Sequence, residues 1–217
     1  MADFAELRER MIRRQIAGRG IRDARILDAF RAVPREAFVA REHAEAAYDD
    51  HPLPIEAGQT ISQPYIVALM IEAAEVRPGD KVLEVGAGSG YAAAVMSRIA
   101  DEVVAIERQH DLVAVSRDRL RRLGYTNVRI LEGDGTRGCP EEAPFDAILA
   151  AASGSHVPQS LLDQLASGGR LIMPVGGPGD IQHLLKVTKR EDGTLQQSDL
   201  GAVRFVPLIG EEGWRER

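Results

Sequence analysis

Cysteine is almost absent. Cys139 is the single thiol in 217 residues, which excludes an internal disulfide and a cysteine zinc site. The five histidines, His43, His51, His110, His156 and His183, are scattered without metal-ligand spacing, so no metal is expected. No His-Asp or Cys-His constellation suggests an activated nucleophile. No stretch offers the ~18 uninterrupted apolar residues of a membrane span. The start, Ala2-Asp3-Phe4-Ala5-Glu6, is acidic and lacks a signal-peptide core, which points to the cytoplasm. Basic excess is missing as well. The net charge of −6 argues against non-specific nucleic-acid binding. The arginine runs at 8–14 and 117–122 carry helical periodicity and read as solvated helix faces. There is no internal repeat and no low-complexity segment, and a monomer is the expected state.

What is present is an ordinary globular composition, 44% hydrophobic and 28% charged, long enough for one sizeable core and a small appendage. The chain is organised around Lys81-Val82-Leu83-Glu84-Val85-Gly86-Ala87-Gly88-Ser89-Gly90-Tyr91. An apolar run ends in three glycines spaced two apart, and helix-forming residues follow to Ala100. This is a buried parallel strand, a tight turn and a helix N-terminus. Glycine lets the turn approach a ligand where a Cβ would clash, and the turn's amides could serve a nucleotide or a carboxylate. The pattern is G-x-G-x-G; Tyr91 takes the place of the dinucleotide fingerprint's last glycine. Glu107 follows about 20 residues later, where ribose hydroxyls usually find their acceptor. The spacing resembles motif I of the Rossmann-like S-adenosylmethionine-dependent methyltransferases.

Four stretches of one domain, 1–217, follow from the pattern. Residues 1–47 form a helical N-terminal appendage: an amphipathic helix over 3–18 ended by Gly18 and Gly20, a second from Asp23 to Ala32, and a short piece near Phe38 and 44–47. Residues 48–64 are a long irregular loop, interrupted by proline and glycine, of the kind that often carries function. Residues 65–180 alternate helix and strand: a helix over 65–75 with Ser62 or Gln63 as its cap, strands at 103–107, 128–131, 145–150 and 170–175, and helices at 111–123 and 157–165. Such alternation implies an α/β fold, a mostly parallel doubly wound sheet with ligand at its carboxyl edge. Residues 181–217 end the chain in an antiparallel hairpin, His183 to Lys189 against Ala202 to Leu208.

Three acids follow the first three strands of this core: Glu84, Glu107 and Asp134. Glu107 could accept from two ribose hydroxyls, and Asp134 from an adenine amino group with the Gly135 amide nearby. Carboxylates also suit a cofactor carrying a sulfonium. Alone, Asp134 between glycines reads as a turn residue, and Ser62 before Pro64 as a helix cap.

Nearly the whole chain resembles the protein-L-isoaspartate O-methyltransferases. The most specific element is Leu53-Pro54-Ile55 followed by Gly58-Gln59-Thr60-Ile61-Ser62-Gln63-Pro64-Tyr65. Val33-Pro34-Arg35-Glu36-Ala37-Phe38-Val39, Leu83 to Tyr91, Gly133-Asp134-Gly135, Ala143 to Ile148 and Val203 to Leu208 support it. The resemblance implies methyl transfer from S-adenosylmethionine, leaving S-adenosylhomocysteine, to the free carboxylate of L-isoaspartyl residues in aged proteins and peptides. It implies Ser62 as the active-site serine and places Gln59 and Thr60, with Glu84, Gly86, Gly88, Gly90, Glu107, Asp134 and Gly135, at the cofactor. One departure is Ala150-Ala151-Ala152-Ser153-Gly154-Ser155, where relatives often have a threonine, alanines and a proline. An NAD oxidoreductase is disfavoured by Tyr91 and by the lack of a catalytic Tyr-Lys or His pair. The 53–65 loop speaks against a small-molecule or RNA methyltransferase, and the set of acids against a non-catalytic binding module.

Overall fold

A computed structural model describes residues 3–216; Met1, Ala2 and Arg217 of the expected 1–217 unit lie outside the described residues. The loop near residue 55 contributes two short strands, β1 Leu53–Pro54 and β2 Thr60–Ile61, paired antiparallel. Seven further strands form the main sheet: β3 Lys81–Val85, β4 Glu102–Glu107, β5 Val128–Glu132, β6 Phe145–Ala150, β7 Leu165–Val175, β8 Gln182–Lys189 and β9 Leu195–Val203. Their order is β5-β4-β3-β6-β7-β8-β9. The first five in that order run parallel, and the last two pairings are antiparallel.

Both faces of the sheet are covered, so its central strands read as apolar runs rather than alternations. Leu83 lies beside Val104 and Ile148, and Val82 beside Val103 and Ala147. The period of two sends these rows to opposite faces. The Val82 row packs with the N-terminal helices α1 Phe4–Met11 and α2 Ala24–Ala32, and with α3 Pro64–Ala73, α4 Tyr91–Met96 and α5 His110–Arg122. The Leu83 row packs with α6 Gln159–Asp163 and with Leu208. Among the described residues no helix is long and apolar enough to cross a membrane.

Three element boundaries differ from the sequence reading. The first helix narrows and widens: α1 stops at Met11, a π-helical turn spans Ile12–Ile16 and a 3-10 turn spans Ala17–Arg19 before Gly20 at φ +105°. The helix expected over 157–165 shrinks to α6, because Leu165 already pairs with Phe145 and a bulge through Gly168 carries the strand on to Arg170. The partner of β8 is Leu195–Val203, not Ala202 to Leu208. The turn is tight, with Arg190 N donating to Thr194 O at 2.8 Å, so pairing resumes at once. Exposed Gln196, Gln197 and Ser198 erase the alternation that would have revealed the edge strand. Residues 204–208 run on beyond the sheet, where the Gln182 side chain binds both backbone groups of Phe205, Ser153 N donates to Val206 O and Leu208 N donates to Ser153 O.

Arg170 ties the end of α3, the helix that follows the loop, to β7. Its Nε donates to Ala74 O at 2.7 Å, and its Nη2 to Glu75 O and to Asp80 at 3.0 Å. These are helix C-terminal carbonyls that would otherwise lack partners. Both charged side chains are mostly buried, 12% and 14% exposed. Arg170→Met is expected to lower unfolding free energy by roughly 2–4 kcal/mol, because a largely buried Asp80 and two carbonyls lose their donor. Urea denaturation measures this; an unchanged midpoint contradicts it.

Candidate active site

A cavity of about 950 Å³ opens at the carboxyl edge of β3, β4 and β5. Gln59, Thr60, Ser62, Glu84, Gly86, Gly88, Glu107 and Gly135 line it; Gly90 and Asp134 are not among the lining residues. Segments far apart in sequence meet here because each parallel strand delivers its following turn to the same edge.

The glycine turn works differently from the sequence expectation. Gly86, Gly88 and Gly90 have φ of +88°, +51° and +85°, a region that a side chain rarely tolerates. Yet the amides of Gly86 and Ala87 donate to Ile106 O at 2.8 and 3.1 Å, Gly88 N donates to Glu107 Oε2 at 2.9 Å, and Gly90 N donates to Ala87 O. These amides are used within the protein. The turn therefore gives room for close approach rather than a row of free donors.

Two carboxyl groups dominate the electrostatics. Glu84, on β3, is 2% exposed, and its Oε2 has no hydrogen-bond partner among the described residues. Burial, and then the neighbouring Glu107, push its pKa well above the ordinary carboxylate range. Glu107 ends β4 and is 6% exposed. Its oxygens accept from the amides of Gly88 and Gln109, each at 2.9 Å, which joins the turns after β3 and β4. A partnerless buried carboxyl oxygen at a cavity wall is a natural acceptor for a cationic or hydroxyl-bearing ligand. The donor set therefore fits a nucleoside with a sulfonium and an amine.

Asp134 takes the turn-residue part. Its Oδ1 accepts from Thr136 N and Oγ1 at 2.9 and 2.7 Å, and its Oδ2 from Glu211 N at 2.8 Å. Burial opposes ionisation, and these hydrogen bonds overcome it to hold the pKa below the usual aspartate value. The carboxylate is thus occupied in tying the C-terminal tail to the turn, while Gly135 reaches the cavity.

Ser62 is not the cap of α3. The cap position belongs to Gln63, which makes no side-chain capping bond. Ser62 lines the cavity, and its carbonyl accepts from Arg35 at 2.8 Å. The departing segment after β6 also reaches the site: Ala151 and Ala152 line the cavity, and Ser153 holds the strip that carries Val206.

Sequence reasoning missed how the 48–64 loop is fastened. Ile55 lies over the glycine turn, where a Cβ on Gly88 would come within 3.3 Å of its Cδ1. Arg119, read as part of a solvated run, is 7% exposed and donates to Ser89 O at 2.9 Å and to Glu56 at 3.1 Å. Its signal was its register: Leu112, Ser116, Arg119 and Leu120 share the buried stripe of α5. Arg8 likewise turns inward, to Tyr48 and Glu36. Among the described residues no cluster of histidine, cysteine or acidic side chains could hold a metal ion.

Comparison with known proteins gives one consistent result. The model of the family Protein-L-isoaspartate(D-aspartate) O-methyltransferase matches residues 6–213. Protein-L-isoaspartate O-methyltransferase 2 of Pelobacter propionicus is 55% identical over 95% of this chain and 92% of its own. The Methylorubrum extorquens protein-L-isoaspartate O-methyltransferase is 58% identical over 95% and 90%. Among solved structures, a protein-L-isoaspartate O-methyltransferase superposes with a TM-score of 0.87 at 32% identity, over 95% of this chain and 67% of that one. A Plasmodium falciparum counterpart crystallised with S-adenosyl-L-homocysteine gives 0.81 at 30% identity, over 96% and 99%.

Glu84 also makes stability depend on pH. Its folded pKa lies above the unfolded value of about 4.3, so its contribution is complete below that pH and is lost as pH rises through the folded value. Glu84→Gln carries no such proton. In ligand-free protein, the stability of the native chain minus that of the variant is expected to be lower at pH 8 than at pH 4, the fall beginning as pH rises through the unfolded value. Urea midpoints across that range check it, and a difference independent of pH contradicts it.

Proposed function

The chain belongs to the protein-L-isoaspartate(D-aspartate) O-methyltransferase family, and we propose that it methylates the free carboxylate of L-isoaspartyl residues in damaged proteins and peptides, using S-adenosylmethionine. The observation that carries this reading is the meeting of two segments at one cavity: the 53–65 loop with Ser62, and the glycine turn with Glu84 and Glu107.

The roles divide by position. Glu107 accepts from the ribose hydroxyls, Glu84 supplies the counter-charge, and Gly86 and Gly88 allow the close approach. Gln59 and Thr60 close the cofactor side from above. Gly135 borders the adenine, and Asp134 serves that end through the turn it caps. Gly90 supports from behind, where its left-handed backbone starts α4. S-adenosylmethionine supplies the methyl group on a positively charged sulfur and leaves as S-adenosylhomocysteine.

An isoaspartyl carboxylate has a pKa near ~4 and is already the nucleophile at neutral pH, so no residue has to remove a proton. Carboxylate and sulfonium both lose charge as the methyl passes between them. An arginine on the attacking oxygen would therefore stabilise the ground state more than the transition state. The Ser62 hydroxyl holds the carboxylate more weakly and aims it, so the protein's contribution is alignment. The methyl ester closes to a succinimide with loss of methanol, and hydrolysis returns part of it to aspartate. Residues 1–47, 48–64, 65–180 and 181–217 act as cover, active-site loop, cofactor core and outer wall of one domain. We place the protein in the cytoplasm as a monomer without nucleic-acid or membrane partners. Supporting this, the large exposed hydrophobics among the described residues are Ile181, Leu195 and Val206, two of which line the cavity.

Labelled methyl transfer to a matched isoaspartyl and aspartyl peptide pair tests the function. Strong preference for the isoaspartyl peptide is expected, because a carboxylate misplaced by ~1 Å loses about a hundredfold in rate. Equal methylation contradicts it. Glu107→Ala is expected to weaken S-adenosylhomocysteine binding by roughly 1–3 kcal/mol in calorimetry. Ser62→Ala is expected to lower turnover while leaving that affinity unchanged.

A further inference from the structure

Arg35 is fully buried, at 0% exposure, yet no carboxylate among the described residues pairs with it. Its Nε donates to Ala47 O at 2.7 Å and its Nη2 to Ser62 O at 2.8 Å, while Nη1 has no hydrogen-bond partner among the described residues. The guanidinium carbon lies 4.7 Å from the centre of the Tyr91 ring. Burying a cation on neutral partners is costly, and burial accordingly lowers its pKa. A methionine or leucine would fill the space without that cost, so packing does not account for an arginine here.

What arginine offers that no apolar residue can is a rigid plane donating in two directions. The two carbonyls it binds flank the active-site loop: Ala47 precedes it, and Ser62 is the residue to which the methyl-transfer reading assigns the carboxylate. One plane therefore sets the separation and orientation of the loop's two ends. That plane rests on Tyr91, the first residue of α4 after the glycine turn and itself part of the cavity wall. The Ser62 carbonyl belongs to the peptide group on the C-terminal side of the serine Cα. Holding that group helps fix the direction in which Cβ and the hydroxyl point.

We propose that Arg35 is a positioning residue for methyl transfer, closing the 48–62 loop at both ends against Tyr91 and so aiming Ser62 at the attacking carboxylate. The inference rests on the Ser62 reading above. It assigns to the N-terminal appendage a part in turnover, beyond covering the sheet.

A double-mutant cycle of Arg35→Lys and Ser62→Ala tests it, with kcat and KM for an isoaspartyl peptide counted per S-adenosylhomocysteine-binding site so that unfolded molecules do not enter. Lysine keeps the charge but lacks the planar fork. Arg35→Lys is expected to lower kcat by roughly 10- to 100-fold with KM for the peptide and S-adenosylhomocysteine affinity unchanged. In the Ser62→Ala background it should cause no further fall. Arg35→Gln, read in the same cycle, serves if the lysine variant does not fold. Native kcat per site in an Arg35 variant, or folded protein lost with kcat per site retained, marks a structural role and overturns the proposal. Losses that multiply with an impaired Ser62→Ala also overturn it, and leave Ser62 standing. Native turnover in Ser62→Ala instead overturns the serine reading itself, together with the aim assigned to Arg35.

Discussion

The Glu107 carboxylate joins the two turns on which the cavity depends. One oxygen holds the amide of Gly88 and the other that of Gln109, so the loops after β3 and β4 keep one spacing. The rest of the edge follows from this link. Gly88 can accept the pull because its backbone is left-handed, and Ile55 can lie over it because no Cβ intervenes. Glu84, on β3, has an oxygen that no group among the described residues satisfies. Burial, and then Glu107 on the neighbouring parallel strand, raise the cost of ionising Glu84, and a cationic ligand relieves it.

The second requirement is a fastened loop. Residues 48–64 contain little regular structure: the short ladder of Leu53–Pro54 with Thr60–Ile61 and a 3-10 turn at Glu56–Gly58 between them. Such a segment would be mobile if it were held only by its own hydrogen bonds. Arginines fix it from outside: Arg119 through Glu56, and Arg35 through the carbonyls of Ala47 and Ser62. For a reaction that needs no proton removed, holding the two reacting partners in line is the main task left to the protein. A rigid loop serves that task better than an added acid or base.

Much of this was legible in the chain itself. The apolar run before Gly86 announces a doubly covered parallel strand, and the strands at 103–107, 128–131 and 145–150 stand within a residue of their places because their runs are bounded by turns. The glycine spacing and Glu107 point to the right edge of the sheet. What stayed hidden depended on tertiary partners. Arg119 looks solvated until Ser89 and Glu56 are brought to it. The tie between Asp134 and the C-terminal tail is hidden until the fold brings the Glu211 amide to it. The β9 edge carries polar residues with no period to read, and the strand at Leu165 is recruited by Phe145 against the local helical signal. Arg35 was visible only as part of a motif, because a lone arginine beside a proline says nothing about burial.

In the proposed reaction the substrate carboxylate attacks unaided and the protein supplies alignment. The pH dependence of kcat for an isoaspartyl peptide, at saturating S-adenosylmethionine, tests this most directly. The expected rate rises through the carboxylate's own ionisation near pH ~4 and then stays level from pH 6 to 8. A rate that climbs about tenfold per pH unit across that interval would reveal a general base and contradict it.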